Sequence, residues 1–275
     1  MGVKLVCLDL DGTLLNDDKT MSENNIKTLK EIKNTGIKIA ISTGRPYINA
    51  SYFGSLIGDE VSIISSNGAY LREKEKDILL NKESLSLESV ISVTNIIKKY
   101  GFTPQFHTRN SVFTEKLEYS SYFLKAMNTI LPKEFWINIV MVDNWNNYTK
   151  DYNDEFIKSI FIHEDIDLVE KIKEELLRIP SLNVTSSLPT NIEINEKGVS
   201  KGKTVLKLAN YFGISKDEIL CMGDNKNDIS MLSICGTPIA MGNAGKEIKD
   251  IAKYVTKSNN EDGVAHALKK YILKG

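Results

Sequence analysis

The run Val3 to Leu8 is β-branched and aliphatic, and it ends abruptly in Asp9-Leu10-Asp11-Gly12-Thr13. Such a run reads as a buried strand whose carboxyl end opens into a loop, the place where α/β folds carry their chemistry. Ser22 is placed to cap a helix bearing Ile26, Leu29 and Ile32, and Gly36 stops it. The next strand, Ile37 to Ile41, again runs into a polar turn, Ser42-Thr43-Gly44-Arg45-Pro46. Strand, helix, strand in this order makes a parallel βαβ unit. A third strand is expected at Val61 to Ser65, before Asn67-Gly68.

The alternation returns toward the other end. A capped helix is expected from Ser200 to Tyr211, a strand from Ile219 to Met222 followed by Gly223-Asp224, a helix after Asn227, a strand from Pro238 to Met241, and a helix after Glu261. The two ends thus read as pieces of one α/β domain with a doubly wound parallel sheet.

Between them the texture is α+β. Val90, Val93, Ile97 and Tyr100 mark one face of a helix, extended runs follow at Phe102 to His107 and Ser111 to Thr114, and a strand, helix and strand are expected over Ile157 to Thr185. At roughly 150 residues per domain, a chain of 275 accommodates two. The expected division is residues 1–81 and 190–275 as one domain and 82–189 as an insertion.

With 41% hydrophobic and 26% charged residues, the chain is neither disordered nor collagen-like. Its 35 basic and 36 acidic residues give a net charge of −1, so no global basic field draws it to nucleic acid or to an anionic membrane. Neither partner is expected. Cys7, Cys221 and Cys235 are too few and too widely spaced for a disulfide framework or a CxxC zinc site. No apolar run approaches the ~20 residues that span a bilayer, and Met1 to Leu10 leads into the Asp9 motif instead of a cleavage site. The expected location is the cytoplasm.

Asp9 and Asp11 are two apart, so in an extended segment they point to the same side. Close carboxylates repel unless a cation or a proton sits between them. Asp224 ends another expected strand and can bring a third carboxylate to the same rim, with Asp228 behind it. Oxygen-only ligands suit Mg2+, which keeps waters and takes substrate phosphate. Thr43 and Gly44 offer a hydroxyl and N–H groups ahead of a helix, a favourable place for an anion. Lys201 adds a point charge at a helix start, where a cation is disfavoured unless it meets an anion.

These stretches resemble, in order, the four motifs of the haloacid-dehalogenase superfamily: Asp9-Leu10-Asp11-Gly12-Thr13, Thr43, Lys201, and Gly223-Asp224-Asn225-Lys226-Asn227-Asp228. Thr43-Gly44-Arg45-Pro46, Ser66-Asn67-Gly68-Ala69, Val199-Ser200-Lys201-Gly202, Ala240-Met241-Gly242-Asn243-Ala244 and Glu261-Asp262-Gly263-Val264 resemble signatures of its Cof-type phosphatase branch. The resemblance implies a Rossmann-like core with an α/β cap inserted between the second and third motifs. It implies a Mg2+-dependent phosphatase acting on a small phosphorylated metabolite, a sugar phosphate or a relative of one, through an aspartyl-phosphate.

Asp9 is then the expected nucleophile and Asp11 the acid and base. The expected metal ligands are a carboxylate oxygen of Asp9, the main-chain carbonyl of Asp11 and the Asp224 side chain, with Asp228 supporting them. Thr43, Gly44, Lys201 and Asn227 are expected to hold phosphate oxygens, and Arg45 and Asn67 to contact substrate. A phosphomutase, which returns the phosphoryl group to substrate, and a non-catalytic sensor of phosphate ligands are the alternative readings. His107, His163 and His266 fall in no motif and are expected in packing or at the surface. Trp145, Tyr148 and Tyr152 are expected in a loop whose rings pack locally.

Overall fold

A computed structural model describes residues 2–118, 120–152 and 155–273, the side chains of residues 120 and 149–152 excepted. Two compact units divide the chain: Met1–Gly44, Ala50–Asn81 and Ser200–Gly275 form one, and Arg45–Asn49 with Lys82–Val199 the other.

The chain opens with β1 (Leu5–Leu8), β2 (Lys38–Ser42), β3 (Ser62–Ser65), β4 (Tyr70–Glu73) and β5 (Ile78–Lys82). The second sheet holds β6 (Gln105–His107), β7 (Ser111–Thr114), β8 (Asn138–Met141), β9 (Lys158–Ile162), β10 (Leu182–Thr185) and β11 (Asn191–Glu196). Strands β12 (Ile219–Gly223), β13 (Thr237–Ala240) and β14 (Tyr254–Val255) return to the first sheet. The helices are α1 (Glu23–Asn34), α2 (Tyr47–Ile57), α3 (Leu87–Lys99), α4 (Ser120–Ile130) and α5 (Trp145–Tyr152), then α6 (Ile166–Leu177), α7 (Lys201–Tyr211), α8 (Ile229–Leu232), α9 (Lys246–Ile251) and α10 (Gly263–Leu268).

The first sheet has the order β14-β13-β12-β1-β2-β3-β4-β5 and is parallel from β14 to β3. Strand order runs outward from β1 in both directions, so the crevice at the carboxyl ends of β1 and β12 is the topological switch point where doubly wound sheets bind ligands. The register sets Leu8 beside Met222, which brings the loops after those strands together. Every β1 side chain is buried, as a central strand covered on both faces requires. The caps form as the sequence indicates: Ser22 Oγ accepts from the Asn25 N–H at 3.1 Å, and Ser200 Oγ from the Lys203 N–H at 3.2 Å. Beyond the sequence expectation, β4 pairs antiparallel with β3 and β5 forms the edge.

The second sheet has the order β10-β11-β9-β6-β7-β8, antiparallel except for β7 and β8. On one face Phe106, Phe113, Phe161, Ile192 and Ile194 pack with Val90, Val93 and Ile97 of α3 and Val169, Ile172 and Leu176 of α6. Trp145 and Tyr148 lie on α5, not in a loop, and their rings meet Phe106 at 5.2 Å and Phe113 at 5.9 Å; the Tyr152 side chain lies outside the described residues. Pairing of β11 with β10 and β9 keeps the chain in this sheet through Glu196, so the return to the first unit comes at Ser200 instead of near residue 190. Among the described residues no helix is long and apolar enough to cross a membrane.

Candidate active site

Strand β1 delivers Asp9 to the switch point, where its N–H donates to the Met222 carbonyl of β12 at 3.1 Å. The following turn closes with the Leu14 N–H on the Leu10 carbonyl at 3.0 Å. Gly12 has a φ of +81°, and a Cβ there would fall on the Asp224 carboxylate. Next in the turn, the Thr13 hydroxyl donates to Asp224 Oδ1 at 2.8 Å. The loops after β1 and β12 therefore hold each other, and Gly12 is required both for its backbone and for the space it leaves.

Beyond β12, a short 3-10 turn at Lys226–Asp228 folds the Asp228 side chain back. Its Oδ2 accepts the N–H groups of Asp224 and Asn225, each at 3.0 Å, while Oδ1 accepts from Lys201 Nζ at 2.7 Å. Lys201 opens α7 and is fully buried; the same ammonium donates to Asp9 Oδ1 at 2.5 Å. A Cβ on the next residue, Gly202, would collide with the Ser230 backbone, so the start of α7 lies hard against α8. That contact fixes where the Lys201 side chain begins its reach.

Thr43 is buried at the end of β2, with Gly44 after it; its N–H donates to the Ile64 carbonyl at 2.9 Å and its carbonyl accepts the Asn67 N–H at 3.0 Å. Ser66 and Asn67 both have positive φ, +51° and +60°. Asn tolerates this region; for Ser66 it is strain of about 1–3 kcal/mol of the kind that clusters at functional sites. Asn227 Nδ2 donates to Asn67 Oδ1 at 3.4 Å.

The residues expected from sequence thus fall into separate groups. Asp9, Asp224 and Asp228 each present an oxygen within 4.8 Å of the others, with Lys201 bonded to two of them. Thr43, Asn67 and Asn227 form a hydrogen-bonded chain. The Asp11 carboxylate is 39% exposed and pairs with Lys19 at 3.1 Å, outside the carboxylate cluster. Arg45 belongs to the second unit, its guanidinium 5.8 Å from the centre of the Phe123 ring. Thr13 had no assigned role in the sequence, although its place beside Gly12 was the available signal.

Burial, and then the Asp228 charge, push the Asp9 carboxyl well above the usual carboxylate range, with Lys201 opposing. The same two causes, in the same order, raise Asp224 to about 7. Burial works against the Lys201 charge, yet Asp228 and Asp9 outweigh it and hold the ammonium above its ordinary pKa. Three carboxylates against one ammonium leave the cluster short of positive charge. Its donors are all oxygens, and both Asp228 oxygens are already engaged, so Asp9 and Asp224 retain the capacity to ligate. Such a set fits a hard divalent cation such as Mg2+.

A family model described as haloacid dehalogenase-like hydrolase matches residues 6–268. The chain is 29% identical to the 5-amino-6-(5-phospho-D-ribitylamino)uracil phosphatase YcsE of Bacillus subtilis over 98% of its length and 96% of the relative's. To YitU of the same organism, which carries the same phosphatase name, it is 31% identical over 98% and 97%. A haloacid dehalogenase-like hydrolase structure from Bacteroides thetaiotaomicron superposes with a TM-score of 0.85 at 26% identity, covering 98% of this chain and 99% of that one. With strand-end carboxylates, a buried lysine and a family match across nearly its whole length, the chain belongs to the haloacid dehalogenase-like hydrolases, in their Cof-type phosphatase branch.

Proposed function

We propose that the enzyme is a cytoplasmic Mg2+-dependent phosphatase of small phosphomonoesters, sugar phosphates or related metabolites, and that it works through an aspartyl-phosphate on Asp9. The observation that carries this reading is the fully buried Lys201 ammonium bonded to Asp9 beside Asp224. A carboxylate so held is fixed in position for attack and has a cation next to the oxygen that reacts.

In the first step Asp9 attacks phosphorus and the bond to the ester oxygen breaks, while Asp11 gives its proton to the departing alkoxide. In the second, Asp11 takes a proton from water, the water oxygen attacks phosphorus, and the bond to Asp9 breaks to release inorganic phosphate. The partly exposed Asp11 side chain suits a group that exchanges protons in both directions. Lys201, the Thr43 hydroxyl, the Gly44 N–H and Asn227 hold the non-bridging oxygens, and Asp228 holds Lys201. Asp9, the Asp11 carbonyl and Asp224 would hold Mg2+, whose charge offsets the repulsion between a carboxylate and a dianionic phosphoryl group. The first unit carries this chemistry and the second selects the ester.

The two Bacillus subtilis relatives are named for an ester in which a ribityl chain bears the phosphate, which supports a hydroxylated substrate here. The test is phosphate release by purified protein with Mg2+ from p-nitrophenyl phosphate and a panel of sugar, nucleotide and cofactor phosphates. Free phosphate should accumulate, whereas a mutase would return an isomeric ester. Inactivity across the panel overturns the reading.

A further inference from the structure

Three consecutive residues, Ser66, Asn67 and Gly68, have positive φ, at +51°, +60° and +102°. Left-handed backbone is ordinarily visited one residue at a time. A buried run of three therefore persists only where the surroundings hold it. Two side chains do so, and both converge on the Gly68 carbonyl. Thr204 Oγ1 donates to it at 2.8 Å from α7, and Asn81 Nδ2 at 3.0 Å from β5. The same amide reaches the Ala69 carbonyl at 3.4 Å, and Lys207 Nζ, further along α7, donates to Asn81 Oδ1. Thr204 and Asn81 are only 2% and 7% exposed. One donor satisfies a buried carbonyl; two, from segments 13 and 136 positions away, also fix its direction.

The held turn touches the candidate site on two sides. A Cβ on Gly68 would collide with the Ser200 carbonyl, and Ser200 immediately precedes Lys201, whose ammonium bonds Asp9. On the other side the Asn67 N–H donates to the Thr43 carbonyl at 3.0 Å, and Asn67 Oδ1 accepts from Asn227 Nδ2 at 3.4 Å. Asn67 takes one hydrogen of the Asn227 amide and leaves the other for an anion. Every residue of this network lies in the first unit.

We propose that Thr204 and Asn81 are positioning residues for the phosphoryl group: by fixing the Gly68 carbonyl they hold Asn67 against Thr43 and Asn227, which receive the non-bridging oxygens. This rests on the phosphatase reading and extends it to two side chains outside the reacting groups. Without the lock the turn relaxes toward ordinary φ, and Thr43 and Asn227 lose their shared partner. Affinity for the phosphate dianion then falls in the ground state and the transition state alike, which raises KM and leaves kcat nearly unchanged.

The experiment measures kcat and KM on p-nitrophenyl phosphate, and inhibition by inorganic phosphate, in the wild type, Thr204→Val, Thr204→Ser and Asn81→Asp. Thr204→Val keeps the shape of the side chain and removes the donor. Asn81→Asp keeps the Lys207 partner and turns a carboxylate oxygen toward the Gly68 and Ala69 carbonyls. In both, KM and the inhibition constant of phosphate should rise together by about fivefold, the worth of one hydrogen bond. Thr204→Ser, which restores the donor, should recover most of that affinity. A purely structural role lowers the urea midpoint and leaves both constants in place, and that result overturns the proposal. Where only one of the two variants folds, it decides alone; if neither folds, the pair serves the fold and the proposal is likewise overturned. A wild type that hydrolyses no ester overturns the phosphatase reading instead, and calorimetry with inorganic phosphate then carries the same comparison. Absence of phosphate binding to that wild type overturns both.

Discussion

Lys201 Nζ and Asp228 Oδ1 lie 2.7 Å apart with both side chains fully out of solvent. The same ammonium serves Asp9, so one cation is shared between the carboxylate at the end of β1 and the aspartate that ties down the loop after β12. Lys201→Met leaves Asp9, Asp224 and Asp228 facing one another with no buried cation. Breaking a buried pair in this way costs about 3–5 kcal/mol. Urea unfolding without added metal should show a loss of that order along with abolished turnover; a variant as stable as the wild type would remove Lys201 from its electrostatic role.

Asp9→Asn separates function from stability at the same place. The substitution removes a carboxylate whose acidity is suppressed by burial and by Asp228, so it relieves like-charge repulsion while deleting the group proposed as nucleophile. Turnover should vanish and the urea midpoint should hold or rise. Near-normal turnover would dismiss Asp9 as the attacking group.

Gly12 tests the packing between the loops after β1 and β12. An alanine there meets both a φ of +81° and the Asp224 carboxylate in the space its methyl needs. The methyl displaces Asp224 and with it the Thr13 contact, and a displacement near 1 Å in such a site costs on the order of 100-fold in rate. Gly12→Ala should lower kcat/KM by about that factor and raise the Mg2+ concentration needed for half-maximal activity. Equal metal dependence in the variant and wild type would mean that the loop absorbs the methyl elsewhere.

How far this site was legible depends on distance along the chain. Asp9, Asp224 and Lys201 could be placed from sequence because each follows a local signal: an apolar run that stops, or a serine that caps a helix. Their convergence needed the register of β1 with β12, which no local pattern encodes. The β4–β5 pair was missed because strands of only four and five residues carry too little period-two signal. Helix α5 was missed because Asn146 and Asn147 are poor helix formers, and packing of Trp145 on Phe106 overrides them. His107, Lys158 and Glu193 are scattered over 86 positions and meet only once three strands pair. Neither burial nor the unmet ring nitrogens of His107 could be read from its neighbours.

The carboxylate cluster also fixes the response to metal. A cation that binds the folded chain and not the unfolded one stabilises it by about 2.7 kcal/mol at 100 times its Kd. In thermal denaturation this amounts to a rise on the order of 5 °C with saturating Mg2+, reversed by a chelator that also stops turnover. Asp224→Asn should abolish most of the rise. An equal rise in that variant would locate the stabilising cation away from Asp224.

In the second unit, His107 makes stability depend on pH in a direction that can be worked out. Its pKa in the folded chain is about 3, against 6.5 for a free imidazole, because burial and the Lys158 charge disfavour the protonated ring while Glu193 opposes them only in part. The unfolded chain therefore binds the proton first. The contribution of this residue is full above pH 6.5 and is lost as pH falls toward 3. Over that window the slope approaches about 1.4 kcal/mol per pH unit, so acidification from pH 6.5, where the slope is still half its limit, to pH 5 should remove about 1.6 kcal/mol through His107 alone. His107→Phe deletes the titration, and its urea-derived stability should fall less over the same interval by about that amount. Parallel pH profiles in the two proteins would mean that the imidazole is hydrated or charged in the folded chain, and that the face it shares with Lys158 and Glu193 is open to water.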